Sequence, residues 1–196
     1  MFMLYSILIG LAIGLLLGGR IGRLADLHLA WVPLAVAALI VQFILFDEQL
    51  NGVLGSLVPP IYVASTAVVL AVVLRNLRKA AGLALVALGT ISNLAAIVAN
   101  GGYMPVTAEA LGVDAPTVPF YGGNSVLTAN PILEPLVDRF VMPAWLPLTN
   151  IFSVGDVLIA AGIVIVMVVG MRQTDSGPAT TSSLGPAGST GDLPVS

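Results

Sequence analysis

Long apolar runs, broken by short polar or glycine-rich turns, constrain this chain more than any other feature. They fall at residues 3–19, 30–46, 59–74, 80–99 and 154–171. Each approaches the ~20 apolar residues that a helix needs to cross a hydrocarbon core about 30 Å thick. Helices are the natural spanning form, because every backbone N–H and C=O is then paired within the segment. A β-barrel would need shorter segments of alternating polarity, and none occur. Soluble core helices are the competing explanation. Against them stands a chain of 196 residues with 58% hydrophobic and only 9% charged side chains and a mean hydropathy of +1.04. A soluble domain carries about 25% charged residues, so too few charges are present to clothe a surface in water. The expected fold is all-α: an integral membrane bundle of five transmembrane helices over residues 1–172.

The breaks give the direction of threading. Arg20 and Arg23 close the first run, Arg75, Arg78 and Lys79 the third, and Arg172 the fifth. Cytoplasmic loops are enriched in Lys and Arg. An N-terminus outside and a C-terminus in the cytoplasm places these six inside and leaves only Arg139 outside. Asp47, Glu48, Glu109, Asp114, Glu134 and Asp138 then fall on the outer side. The first positive charge follows the first apolar run instead of preceding it, which is the pattern of an uncleaved span and not of a signal peptide. Pro59-Pro60 opens the third span, where a missing N–H leaves no bond unmade. Residues 173–196, rich in Ser, Thr, Gly and Pro, cannot bury enough apolar surface to order themselves and read as a disordered cytoplasmic tail. No internal repeat is visible, which weighs against an inverted-repeat transporter.

Residues 101–150 form the one long connection, expected outside. Its apolar content, including Tyr103, Met104, Phe120, Tyr121, Leu136, Phe140 and Trp145, argues for a lid packed on the bundle or lying at the interface. Ala108 to Leu111 reads as one helical turn capped by Thr107 and Gly112. Residues 131–140 read as a short amphipathic piece with Glu134 and Asp138 one turn apart on one face.

Few residues can carry chemistry. There is no Cys and a single His, His28, so disulfides, thiolate metal sites and bis-His haem are excluded. His28 sits among Arg20, Arg23 and Asp26 in a turn that reads as solvated. The net charge of −3 offers nothing to nucleic acid. No G-x-S-x-G, H-E-x-x-H, Walker or zinc spacing occurs, and neither a cofactor nor a catalytic residue is expected. Ser6, Gly10, Gly14, Gly18 and Gly22 recur every fourth residue and lay a smooth stripe on one helix face. Small residues let helix backbones approach closely in lipid, so Gly10, Gly14 and Gly18 are expected to pack another helix, in this chain or in a partner or second copy. Gly82, Gly89, Asn93, Ala96 and Asn100 share a face of the fourth span. Asn93 lies near mid-span, as interhelical glue or as a ligand contact. Gln42 and Asn100 lie near outer ends. Asp156 is the most informative residue, because an ionisable group inside a span is a functional hypothesis. Ser153-Val154-Gly155-Asp156 also has the spacing of a capping box at a helix start. The alternatives are an ion pair with Arg139, or a proton or cation site shared with Gln42 and Asn100. Arg139, the one outer cation, is expected to pair with Glu134, Asp138 or Asp156.

Three stretches resemble a family of small, uncharacterised bacterial multi-pass membrane proteins built on a domain of unknown function. They are Gly18-Gly19-Arg20-Ile21-Gly22-Arg23-Leu24-Ala25, Asn100-Gly101-Gly102-Tyr103-Met104-Pro105, and Ile151-Phe152-Ser153-Val154-Gly155-Asp156-Val157-Leu158-Ile159. The resemblance implies a bacterial plasma-membrane location and no activity. The residues favour a non-catalytic accessory or scaffold protein that works through a membrane partner. The alternative is a small-solute or ion permease with Asp156 as the coupling group. An intramembrane enzyme using Asp156 with Glu134 or Asp138 is the weakest reading. A polar cavity joining Asp156 to Asn93 would favour the permease.

Overall fold

The computed structural model describes residues 2–45, 47, 52–114, 116, 119–122 and 124–173. The expected tail at 174–196 lies outside them. Among the described residues the chain is mostly helical, with five apolar helices: α1 Phe2–Leu16, α2 Val32–Leu45, α3 Val58–Arg75, α4 Leu83–Ala99 and, after a one-turn helix α5 Ala108–Leu111, α6 Val154–Arg172. Two helical stretches, Gly52–Arg75 with 24 residues and Val154–Arg172 with 19, are long and apolar enough to cross a membrane. The other three apolar helices are shorter.

The helices form a row in the order α1–α6–α4–α3–α2. Small residues set the two close approaches that α6 makes. A Cβ on Gly10 would stand 3.0 Å from Met167 Cβ, and one on Gly14 would strike the Met171 side chain, so α1 lies parallel to α6. Gly82 meets Gly162 and Ile165 while Gly89 meets Gly155 and Ile159, so α4 runs antiparallel to α6. Ser6, Gly10 and Gly14 are all buried. The stripe of small residues on α1 is therefore consumed within the chain.

Gly18 departs from the expected packing role. The first helix stops at Leu16, and Gly18 follows with φ +77° and no neighbour within reach of a Cβ. It turns the chain, in a conformation that only glycine adopts freely. The close contact with Met171 belongs to Gly14 and Gly19 instead, and Arg20 N–H donates to Met171 O at 2.8 Å. Gly22 likewise lies in open space, within a 3₁₀ segment spanning Ile21–Asp26.

Many large apolar side chains lie on the outside of the helices, and several polar ones lie between them. Buried polar groups include Ser6, Ser65, Thr66, Asn76 and Thr90, while Leu8, Leu16, Ile40, Phe43 and Leu88 are among many large apolar side chains left exposed. Asn76 ties the turn before α2 to the end of α3. Its amide donates to Ala30 O and Val72 O and accepts from Ala30 N–H. Lys79 Nζ donates to His28 O, and the Arg75 guanidinium stands 5.7 Å over the Trp31 ring. His28 itself is exposed.

The long connection contains strand structure that an all-α expectation lacks. β1 Met104–Val106, β3 Ser125–Leu127 and β2 Phe120–Gly122 make a sheet in the order β1-β3-β2, with β1 parallel and β2 antiparallel to β3. β4 Phe140–Val141 pairs antiparallel with β5 Ile151–Phe152. α5 has the caps its sequence implies: Thr107 Oγ1 accepts from Ala110 N–H, and Gly112 adopts a left-handed conformation. The 131–140 stretch is not an amphipathic helix. Only Glu134–Leu136 coils, as a 3₁₀ turn entered through Leu133 at φ +59°. Beyond it the chain extends, because Asp138 N–H donates to Pro105 O and Asp138 O accepts from Thr107 N–H. Glu134 and Asp138 therefore share no helical face. Met104 on β1 packs with Ala96 and Ile97 of α4, joined by Tyr62, Val63 and Leu136. This cluster seats the β-rich segment, here termed the roof, on the ends of α3 and α4.

Candidate functional site

Ser153 precedes α6 in extended backbone and is fully buried. Its Oγ accepts from Asp156 N–H at 3.1 Å, and the Asp156 carboxylate accepts from Ser153 N–H at 3.1 Å. These reciprocal bonds satisfy two helix-end donors, as the S-x-x-D spacing predicts. Asn93 of α4 completes the arrangement. Asn93 Nδ2 donates to Asp156 Oδ1 at 2.8 Å, and Ser153 Oγ donates to Asn93 Oδ1 at 2.9 Å. Four hydrogen bonds thus close a ring across the α4–α6 contact. Gly155 makes the ring possible, because a side chain there would occupy the space of the Asn93 amide.

The same Asp156 edges a cavity. Under the roof lies a space of about 230 Å³ lined by Tyr62, Asn93, Asn124, Asp138, Asn150 and Asp156, with Ile97, Met104, Ser125 and Ile151 completing its walls. At about 30 Å³ per water, that volume holds roughly eight waters or one small solute. Tyr62 reaches it from α3, where its backbone carbonyl accepts from Ser65 and Thr66 hydroxyls. Asn124 comes from the turn before β3 and hydrogen-bonds the Tyr62 side chain. Asn150 enters just ahead of β5, its carbonyl held by Met142 N–H.

Asp138 is the electrostatic centre of this space. Its Oδ1 is buried with no hydrogen-bond partner. Burial, and secondarily the negative charge of Asp156, raises its carboxyl from 3.8 to about 8. Desolvation disfavours the charged form, and a second carboxylate nearby compounds the effect. Near neutral pH Asp138 therefore holds a proton. Among the described residues no cation offsets the pair, and no group of three or more His, Cys, Asp or Glu is placed to hold a metal ion.

A model of DUF5317, a family of unknown function, matches residues 26–168. The chain belongs to DUF5317. The matched region begins after α1 and includes every residue that lines the cavity. Two of the three stretches that carried the sequence resemblance, 100–105 and 151–159, lie within the DUF5317 match, whereas Gly18 to Ala25 lies before it. No curated protein and no solved structure matches the chain.

Of the five residues offered from sequence as a polar site, the cavity unites Asp156 and Asn93 and leaves the other three elsewhere, while Asp138, named only as a pairing partner of Arg139 or an enzyme partner of Asp156, joins them. Asn100 pins the roof from outside the cavity: its side chain donates to Ala96 O and Ile132 O and accepts from Ile132 N–H. Gln42 Nε2 donates to Thr66 Oγ1 at 3.2 Å, tying α2 to α3 beneath Tyr62. Arg139 is exposed, and its side chain makes no ion pair with Glu134, Asp138 or Asp156 among the described residues. Its backbone N–H donates to Phe152 O. Tyr62, Asn124 and Asn150 escaped the sequence reading. A Tyr at a span end reads as a membrane anchor, and Asn in a loop reads as a turn former. Only the crossing of α3, α4 and α6 beneath the roof brings them together.

Proposed function

We propose that this chain is a multi-pass protein of the bacterial plasma membrane that binds a small, positively charged solute at the outer mouth of its bundle. The observation that carries the reading is that Asp156, already satisfied as a helix cap, shares a polar cavity with a second carboxylate, Asp138. A cap alone needs neither the cavity nor the second acid. An ammonium or guanidinium group would supply the donors and the charge that the pair lacks.

The membrane setting is supported by the many large apolar side chains left exposed on the helices. In lipid, large apolar groups face outward and small or polar ones pack between helices. In water, an exposed apolar surface of this extent would drive association. Five spans with the N-terminus outside follow if α1, α2 and α4 cross with the help of flanking apolar turns. On that topology the roof and its cavity face outward, and Arg20, Arg23, Arg75, Arg78, Lys79 and Arg172 face the cytoplasm. The chain's lack of Cys makes the test direct. Single cysteines at Leu77 and Ile132 should differ in intact cells, with only the second labelled by a membrane-impermeant maleimide. Labelling of the first would reverse the orientation.

This solute-binding reading, which makes the chain a candidate permease component, is preferred to the accessory-protein reading. The stripe on α1 that would have greeted a partner is covered by α6. Methylammonium and guanidinium, added to detergent-purified protein, should raise its unfolding temperature, and acetate and methanol should not. A ligand at a hundred times its Kd stabilises by about 2.7 kcal/mol. Asp138→Asn should abolish the shift. Cation affinity should also rise between pH 6 and 8, because Asp138, facing Asp156 and Tyr62, must give up its proton to bind a cation. No response to either cation, or an equal response to acetate, would end this proposal.

A further inference from the structure

A second chamber adjoins the first. A space of about 280 Å³ is lined by Val106, Leu111, Leu127 and Ile151 together with Ser125, Asp138 and Asn150. Ser125, Asp138, Asn150 and Ile151 also line the inner cavity, so these four residues stand between the two spaces. The characters of the chambers differ. The inner one is lined by two carboxylates, three Asn side chains and a Tyr hydroxyl, whereas the outer one draws most of its wall from aliphatic side chains of β1, α5, β3 and β5. Asp138 stands at their junction, with its unpaired Oδ1 buried there.

We infer that the ligand is an amphipathic amine, whose ammonium head enters the inner chamber beside Asp138 and Asp156 and whose apolar body lies in the outer chamber against Leu111, Leu127 and Val106. This rests on the proposed solute site and adds the class of its ligand. Neither chamber explains the other. A site for a bare inorganic cation has no use for an aliphatic vestibule. A site for an uncharged apolar ligand has no use for paired acids. A methylammonium ion fills only part of the inner space, so extending it past the junction buries further apolar surface without disturbing the head.

The experiment is a titration series of methyl-, ethyl-, propyl- and butylamine at pH 8.5, read by calorimetry on the full chain in detergent. Matched alcohols serve as neutral controls. Burying one methylene contributes about 0.8 kcal/mol, so affinity should rise up to about fourfold per carbon once the chain passes the junction. Leu111 is half exposed on α5, and Leu111→Trp fills the outer chamber from the surface. In that variant methylamine should bind as before while the gain with chain length disappears. Ser125→Val, at the junction, provides a second blocking variant should Leu111→Trp fail to fold. Binding of all four amines with equal affinity would overturn the inference and leave the cation site standing. A gain with chain length that survives in whichever blocking variant folds would overturn it too, since it would report partition into detergent. Alcohols that bind as well as amines would overturn the charged head. If no amine binds, the inference falls together with the cation site beneath it.

Discussion

Helix α6 meets its neighbours differently at its two ends. From Gly162 to Met171 it is sealed, with glycine against backbone toward α4 and methionine into the hollow of Gly10, Gly14 and Gly19 toward α1. From Ser153 to Asp156 it is equally close to α4, but the contact is made by polar atoms and opens onto a cavity. The same device, a missing side chain, serves both ends. At one end it brings apolar surfaces together. At the other, Gly155 makes room for an amide that holds a carboxylate. Close approach alone does not mark a site, since the sealed end has it too. What distinguishes the polar end is that its hydrogen-bond capacity exceeds what the fold consumes.

The largest effect should come from the residue that joins the two regimes. Gly155→Val forces a branched side chain into the Asn93 amide and against the Gly89 carbonyl. Overpacking of this kind destabilises by about 1–3 kcal/mol, and the loss of bonds to a buried polar ring adds to it. The variant should unfold at a markedly lower temperature in detergent and yield little folded protein. Wild-type stability in this variant would show that the α4–α6 contact can separate without penalty. Gly14→Leu tests the sealed end. It drives a side chain into Met171 at the α1–α6 seam and should lower stability by about 1–3 kcal/mol while leaving the cavity, which α1 does not line, able to bind cations. If cation binding vanished in the folded variant, the two ends would not be separable.

A third effect is specific to the polar end. The Asp138 carboxyl lies near 8 in the folded chain against 3.8 for the free group. The folded state therefore holds this proton more tightly than the unfolded state does. By linkage, the associated stability is fully present below about pH 4, falls as pH rises toward 8, and changes no further above that. Asp138→Asn should flatten the profile of unfolding temperature between pH 5 and 8 and leave the variant at least as stable as wild type at pH 8.5. A wild-type profile that rises across this window would contradict a buried, protonated Asp138.

How much of this was legible beforehand depended on whether the determining contacts are local. The Ser153–Asp156 box and the Thr107–Gly112 caps are fixed within a few residues, so spacing reveals them. The helices could be read from apolar runs because each run is several helical turns long. The roof strands are two or three residues each, too short to show a period, and β1 pairs with residues about 20 positions away, as Met104 does with Ser125. Asp138 is the clearest case. Its sequence spacing from Glu134 suggested a shared helical face, but its backbone bonds to Pro105 and Thr107 straighten the chain and turn the carboxyl into the cavity. Nothing local encodes that. Tyr62, Asn93 and Asn150 meet it only through the packing of three helices and the roof.

The smallest expected effect concerns the end of α1, where periodicity misled. A four-residue rhythm implies packing wherever it continues, but it does not say where the helix stops. Gly18 continues the rhythm after the helix has ended at Leu16 and sits at φ +77° with open space around it. The packing and turning explanations make opposite predictions for two substitutions. If Gly18 were a contact residue, the bulkier Gly18→Asn would be worse than Gly18→Ala. If it is a turn residue, Gly18→Ala should cost about 1 kcal/mol of strain in the left-handed conformation, and Gly18→Asn less, because Asn tolerates that conformation better. The order of the two unfolding temperatures, Asn above Ala, is the expected result. The reverse order would restore Gly18 to the packing face and extend the sealed end of the bundle by another turn.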